Sequence, residues 1–245
     1  MGNVYMLTNR LMAMANQVEE GESVADIGTD HGYLPMYLVK ENISPKVILA
    51  DVSKGSLNKA RNNIKEYMPG VKFDLRLGNG LKVIKKEEVD DVVIAGMGGV
   101  LITEILGKDL SKTKKFKKLI LQPRTAQGRL RHWLIKKGFR IEVEQLVREG
   151  RFICEVITAI PGEPEEYMRL EEGPDSIKWE MPPWVAALET PLAKEMVENK
   201  LARENRILTS MENSKTIKSS DIAAVKKNIE YLEDLLANTC GDYQE

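Results

Sequence analysis

The apolar positions of this chain come first in short runs and later at helical spacing. "SVADIG" (23–28), "KVILAD" (46–51), "VKFDLRLG" (71–78), "DDVVIAG" (90–96) and "KKLILQP" (117–123) have strand length and are either apolar throughout or alternate with polar residues. Helical spacing fills most of the gaps. "YLPMYLVKEN" follows the first run, and "SKGSLNKARNNIKEYM" (53–68), with Ser53 as N-cap, follows the second. "GGVLITEIL" and "TAQGRLRHWLIKKG" follow the fourth and fifth, and "NRLMAMANQVEEG" (9–21) reads as a short leading helix closed by Gly21. Strands alternating with helices predict βαβ units and a parallel sheet covered on both faces. After Gly138 the rhythm breaks. "FRIEVEQLVRE" and "RFICEVITAI" meet across "EGR" with no helix between them, and so short a connection requires an antiparallel hairpin.

Five βα repeats closed by a hairpin predict an α/β fold: a doubly wound, seven-stranded, Rossmann-like sheet of the methyltransferase type. A nicotinamide-binding domain would continue with βα units instead. Beyond Pro161 the chain turns irregular and proline-rich ("PGEPEEYMRLEEGPDSIKWEMPPW"), which reads as a linker or small helices. Thr190-Pro191 then opens a helix carrying Val197, Leu201, Leu208 and Met211 at heptad spacing, with Glu204 at the intervening core-like position. A second helix, capped by Ser220 or Asp221, carries Ile222, Val225, Ile229, Leu232 and Leu236. That is a coiled-coil seam, and the break at "NSKTIKSSD" predicts an antiparallel helical hairpin. Two domains are expected, 1–162 and 163–245.

Composition sharpens this division. The net charge of -1 is the sum of a basic part, 1–162 at +7, and an acidic part, 163–245 at -8. A polyanion should prefer the first. With 42% hydrophobic and 30% charged residues the chain reads as globular, and no apolar run approaches the roughly 20 residues of a membrane span. The start "MGNVYMLTNR" lacks a signal-peptide core, and Met6 breaks the myristoylation pattern, so a cytoplasmic protein is expected. Cys154 and Cys240 form no metal or redox spacing, and no metal is expected.

In a doubly wound sheet ligands bind at the carboxyl ends of the strands. Those ends here are Asp26-Ile27-Gly28, Asp51, Gly78-Asn79-Gly80, Ala95-Gly96-Met97-Gly98-Gly99 and Gln122-Pro123. Asp51 stands at about the ~20-residue offset at which an acid holds a ribose diol, although an acid there also suits a helix cap. The first turn, "ADIGTDHGYLP" (25–35), discriminates further. A dinucleotide wants G-x-G-x-x-G against its pyrophosphate, whereas only Gly28 and Gly32 are present and Asp30 takes the middle position. A carboxylate repels a pyrophosphate and attracts the sulfonium and ammonium of S-adenosylmethionine (SAM). Asp30 also suits a helix cap. "AGMGG" lets a ligand approach the backbone closely, or makes a plain tight turn. Asn79 suits an adenine edge or a turn, and His132, beside Trp133, reads as structural.

Together "ADIGTDHGYLP" (25–35), "GNGL" (78–81), "IAGMGG" (94–99), "LILQP" (119–123) and the hairpin segment with Phe152, Cys154, Glu155 and Val156 resemble the bacterial tRNA adenine-22 N1-methyltransferases. The resemblance covers most of residues 1–160, and a C-terminal helical hairpin also fits that family. Two positions depart from its pattern: Asn79, where Asp is frequent, and Arg124, where Asn is expected. The resemblance implies SAM as donor, N1 of an adenine in the tRNA core as acceptor, and 1-methyladenosine as product. On this reading Asp26, Gly28, Thr29, Gly32, Asp51, Val52, Gly78, Asn79, Gly80, Ala95, Gly96 and Met97 form the cofactor site. Asp30 stabilises the base as it becomes cationic, and His31 and Tyr33 shape the pocket.

N1 lies on the pairing edge, so the base must be exposed first, and tRNA affinity should come from phosphate contacts that weaken with salt. Lys82, Lys85, Lys86 and "KDLSKTKKFKK" (108–118) are the expected basic contacts, or else a solvated face. The C-terminal helices could reach tRNA through Lys200, Arg203 and Arg206 or mediate self-association, and a monomer or weak homodimer is expected. The competing readings are a SAM-dependent enzyme acting on a small molecule or protein, a nicotinamide oxidoreductase, and a non-catalytic RNA-binding module.

Overall fold

The computed structural model describes residues 6–188, 190–213 and 217–239. Its chain divides into two compact units, Met1–Pro174 and Asp175–Glu245. Residues 163–174, grouped by composition with the second part, are here grouped by contact with the first. Cys240 lies outside the described residues.

The first unit is a seven-stranded sheet: β1 (Val24–Ile27), β2 (Val47–Asp51), β3 (Asp74–Leu77), β4 (Asp91–Gly98), β5 (Lys118–Thr125), β6 (Phe139–Glu149) and β7 (Phe152–Pro161). The order is β3-β2-β1-β4-β5-β7-β6. Strands β1 to β5 pair in parallel, and β7 runs antiparallel to both β5 and β6. The hairpin thus inserts its second strand beside β5. Strands β1, β2, β4 and β5 are central, and β1, most of β2, the first half of β4 and the first six residues of β5 are buried on both faces, which is why they read as continuous apolar runs.

The helices are α1 (Asn9–Ala15), α2 (Tyr33–Lys40), α3 (Lys54–Tyr67), α4 (Gly99–Gly107), the short α5 (Leu110–Thr113) and α6 (Gln127–Lys136). Ser53 caps α3 as expected, accepting from the Ser56 N–H. Helix α1 ends at Ala15, well before Gly21. The chain order reverses between β1, which leads to β2, and β4, and the carboxyl ends of these two strands form the topological switch point at which such sheets bind ligands.

The opposite edge of the sheet corrects the expectation about the basic run. Lys118 Nζ is buried against Glu22 Oε2 at 2.6 Å, and Lys117 Nζ binds Asp90 Oδ1 at 2.9 Å. Both sit at the starts of β4 and β5, away from the strand ends that bind ligands, and both are committed to neighbouring acids. Lys112 Nζ likewise donates to the carbonyls of Leu81 and Ile84. Lys117 and Lys118 are thus engaged at the sheet base and Lys112 at the turn after β3, whereas Lys82, Lys85, Lys86, Lys108, Lys114 and Lys115 are exposed.

Asp91 lies in the same cluster, fully buried beside Glu22 and 3.9 Å from Lys118 Nζ. Burial first, then the Glu22 carboxylate, pushes its carboxyl from 3.8 up to about 8. The folded chain keeps a proton here that the unfolded chain has already released, so this group's contribution to stability is lost as pH rises toward that value. Denaturant midpoints are therefore expected to fall more between about pH 5 and pH 9 for the unaltered chain than for Asp91→Asn. Parallel pH profiles for the two proteins would refute this assignment.

The second unit contains α7 (Ile177–Glu180), α8 (Pro183–Ala186), α9 (Pro191–Glu212) and α10 (Ser219–Thr239). Thr190 caps α9 by accepting from the Ala193 N–H, with Pro191 at its first position. Helix α10 begins at Ser219, so Ser220 and Asp221 are first-turn residues rather than caps. The pairs Glu212–Lys226 and Glu204–Asn228 run in opposite senses, which makes α9 and α10 antiparallel. Glu204, the polar break in the seam, accepts from Asn228 Nδ2 at 3.0 Å, while Val197, Ile229 and Leu232 are buried.

Candidate active site

The turn after β1 carries three residues in the left-handed region: Gly28 (φ +84), Asp30 (φ +33) and Gly32 (φ +71). Aspartate tolerates that conformation better than most side chains, and such strain concentrates at functional sites. The turn borders a cavity of about 430 Å³ at the carboxyl edge of the sheet, lined by Asp26, Gly28, Thr29, Asp30, His31, Tyr33, Ala95 and Gly96, together with Arg10 and Arg124. A second cavity of about 210 Å³ shares Gly28 with the first. Asp51, Val52, Gly78, Asn79 and Gly80 line one part of it, and Ile27, Met97, Leu101 and Ile105 supply apolar surface.

All the predicted site residues except Gly32 therefore line one of two adjoining cavities. Gly32 lines neither. A Cβ there would stand 3.1 Å from Leu49 Cδ2 and 3.2 Å from the Ala60 Cβ, so its small size serves the packing of α2 against β2 and α3.

Asp26 is buried at the base of the larger cavity. Burial raises its carboxyl to about 6, with Thr29 and Arg10 opposing the rise and Asp51 adding to it. Asp30 is half exposed, its Oδ1 3.1 Å from Lys59 Nζ and its Oδ2 3.3 Å from His31 Nε2. The His31 ring stacks on Tyr33 with centroids 5.5 Å apart and planes 3° from parallel. Asp51 Oδ1 accepts the Ser53 N–H at 2.6 Å. Its capping duty and its place in the cavity are thus compatible, since one oxygen caps and the other remains for a ligand.

Sequence reasoning missed the clamp around Gly96. The pairing of β4 with β5 shifts register at Ala95/Met97 and skips Gly96. Such a bulge leaves one backbone group without a ladder partner. The side chain of Gln122 provides one, its Oε1 accepting both the Gly96 N–H at 3.1 Å and Arg10 Nη1 at 3.1 Å. Arg10 in turn pairs with Glu149 at 3.2 Å. Burial pushes the Glu149 carboxyl up, but Thr8 and Arg10 together outweigh it and hold it below the usual range. Three-glycine "AGMGG" at a strand end signalled the bulge. Nothing in the sequence linked Arg10 to Glu149, 139 positions away.

The cavities fit SAM. Asp26 and Asp30 give the larger cavity carboxylates of the kind that suit a sulfonium and an ammonium, and the apolar walls of the smaller cavity suit an adenine. Gly96 (φ +74) has nothing within 4 Å of where a Cβ would stand, so a side chain there would project into the open space the donor needs. Among the described residues no group of three or more His, Cys, Asp and Glu side chains is placed to hold a metal ion. No helix among them is long and apolar enough to cross a membrane.

Sheet order, terminal hairpin and acid-lined switch point define a Rossmann-like, SAM-dependent methyltransferase, and a methyltransferase-domain family model matches residues 7–157. The chain is 35% identical over 161 residues to the tRNA (adenine(22)-N(1))-methyltransferase of Bacillus subtilis, which spans 66% of this chain and 68% of that one. The crystal structure of the B. subtilis m1A22 tRNA methyltransferase TrmK superposes with a TM-score of 0.83 at 28% identity, over 94% of this chain and 99% of the other. The structure of M. capricolum TrmK with S-adenosyl-homocysteine gives a TM-score of 0.78 at 26% identity, over 95% and 99%. This chain belongs to the tRNA (adenine(22)-N(1))-methyltransferase family.

Proposed function

We propose that the protein methylates N1 of adenine 22 in the core of tRNA, with SAM as donor. The observation that carries this reading is the pair of carboxyl-edge cavities, one apolar and bearing Asp51 and one acidic, that share Gly28. When bound, SAM supplies an electrophilic methyl carbon. The adenine N1 lone pair forms the new C–N bond as the C–S bond breaks, and its electron pair stays with sulfur.

N1 is an unprotonated nucleophile at neutral pH, so the chain's main tasks are alignment and electrostatic support. In this reading Asp51 Oδ2 takes the ribose hydroxyls, Met97, Leu101 and Ile105 enclose the adenine of the donor, and Asn79 meets its edge. Asp26 holds the ammonium end. The methylated base becomes cationic, and Asp30, fixed by Lys59 and His31, faces the charge as it develops. Phosphate contacts near the site would come from Arg124, which is exposed at the rim, rather than from the lysines at the sheet base. The protein works in the cytoplasm as a monomer or weak homodimer.

The test is incubation with an unmodified tRNA transcript and methyl-labelled SAM, followed by mapping of the modified base by reverse-transcription arrest. Label at adenine 22 supports the reading. Label on protein, on a small molecule or at another nucleotide overturns it. Within the same assay, at saturating SAM, Asp30→Asn is expected to lower kcat by roughly ten- to a hundredfold. Turnover unchanged in that variant would remove Asp30 from the chemistry.

A further inference from the structure

A third cavity, of about 430 Å³, adjoins the acidic one and contains none of the predicted cofactor residues except Gly96. Gly96, Gln122, Pro123, Arg124, Phe152 and Cys154 line it, and Arg10, Gly96 and Arg124 also border the acidic cavity. The two spaces therefore meet at the clamped Gly96 bulge. Phe152 stands at the start of β7 with 59% of its surface exposed, and the Arg151 guanidinium lies 5.0 Å from its ring centroid.

An exposed phenylalanine gains little from the core, yet the hairpin that carries this one is anchored on both sides of it. Glu149, its cross-strand partner, is tied to Arg10, and three positions further along β7 Glu155 is tied to buried Arg131. An exposed ring on the wall of a cavity that adjoins the acidic one is a stacking surface for a planar partner.

We propose that Phe152 is the platform on which the extruded adenine stacks during methyl transfer. The inference rests on the function proposed above. An unstacked base has lost its neighbours in the RNA, and an aromatic face replaces them without regard to sequence. The chemistry adds a second effect. Alkylation at N1 makes the base cationic, and the face of a phenyl ring attracts cations, so the stack strengthens as the reaction proceeds. The Arg124 guanidinium on the wall of the same cavity suits a flanking phosphate.

Phe152→Ala, Phe152→Leu and Phe152→Tyr test this on the full-length protein, with unmodified tRNA transcript and labelled SAM. The alanine and leucine variants are expected to lose about five- to 150-fold in kcat/KM for tRNA, the range a base–aromatic stack supplies. Tyrosine should return activity to within about threefold of the parent, and SAM affinity should stay within about twofold in all three. Leucine controls for folding, because it keeps the apolar bulk and removes only the ring. The inference is overturned if leucine or alanine retains kcat/KM within twofold, if tyrosine does no better than leucine, or if SAM affinity falls in step. An unaltered chain that leaves tRNA unmethylated overturns the proposed function itself, an outcome separable from activity that survives loss of the ring.

Discussion

Asp51→Ala is expected to bind SAM about 100-fold more weakly than the parent chain. Hydrogen bonds to a charged group each contribute about 1.5–3 kcal/mol, and the two ribose hydroxyls share one carboxylate, so about 3 kcal/mol is at stake. At about 1.4 kcal/mol per decade this is two orders of magnitude. The variant also removes the acceptor for the Ser53 N–H, a contact of 2.6 Å at the entry to α3. Asp51→Asn separates the two effects. Its amide oxygen can still accept from Ser53, whereas its NH₂ offers the ribose a donor in place of an acceptor. Calorimetric titration with SAM should then rank the parent above Asn and Asn above Ala, with thermal midpoints of parent and Asn close together. An unchanged dissociation constant for Asp51→Ala would show that the carboxylate is only a cap.

The second large effect concerns stability. Arg131, on α6, is fully buried and bridges Glu144 of β6, at 2.6 Å, and Glu155 of β7. Removing one member of a buried ion group leaves the others without compensation, a loss of about 3–5 kcal/mol. For a unit of this size that is a fall of roughly 6 to 20 °C in Tm. Arg131→Leu should show this fall and should also loosen the hairpin that carries Phe152 and Cys154. Combining it with Glu144→Leu and Glu155→Leu should recover much of the loss, because the triad then becomes apolar packing. A single variant as stable as the parent would mean that water already reaches the pair. Glu155 belongs to the hairpin segment that carried the family resemblance, and this bridge is the structural reason for a carboxylate there.

Most residues predicted to line the two cavities were legible because they sit at or just after strand ends, and strand ends are marked in sequence by the change from apolar run to Gly, Asp or Asn. Asp26, Asp51, Asn79 and Met97 come together from four strands on that rule alone. Gly32 satisfied the same rule and has a different task, since sequence cannot distinguish a glycine that faces a ligand from one that faces Leu49 and Ala60. Part of the basic run was misread for a related reason. Lysines at 112, 117 and 118 look free along the chain, and only the sheet register sets Lys118 beside Asp91 and Glu22.

Local spacing determined the parallel core, the terminal hairpin, the helix caps at Ser53 and Thr190 and the acidic character of the first turn, because each depends on neighbours within a few residues. Tertiary structure alone decided the Arg10–Gln122–Gly96 clamp, the buried Arg131 triad and the cavity beneath Phe152. Those features join positions that are distant along the chain, and their charges and rings acquire meaning only when folding strips water from one side and sets a partner on the other.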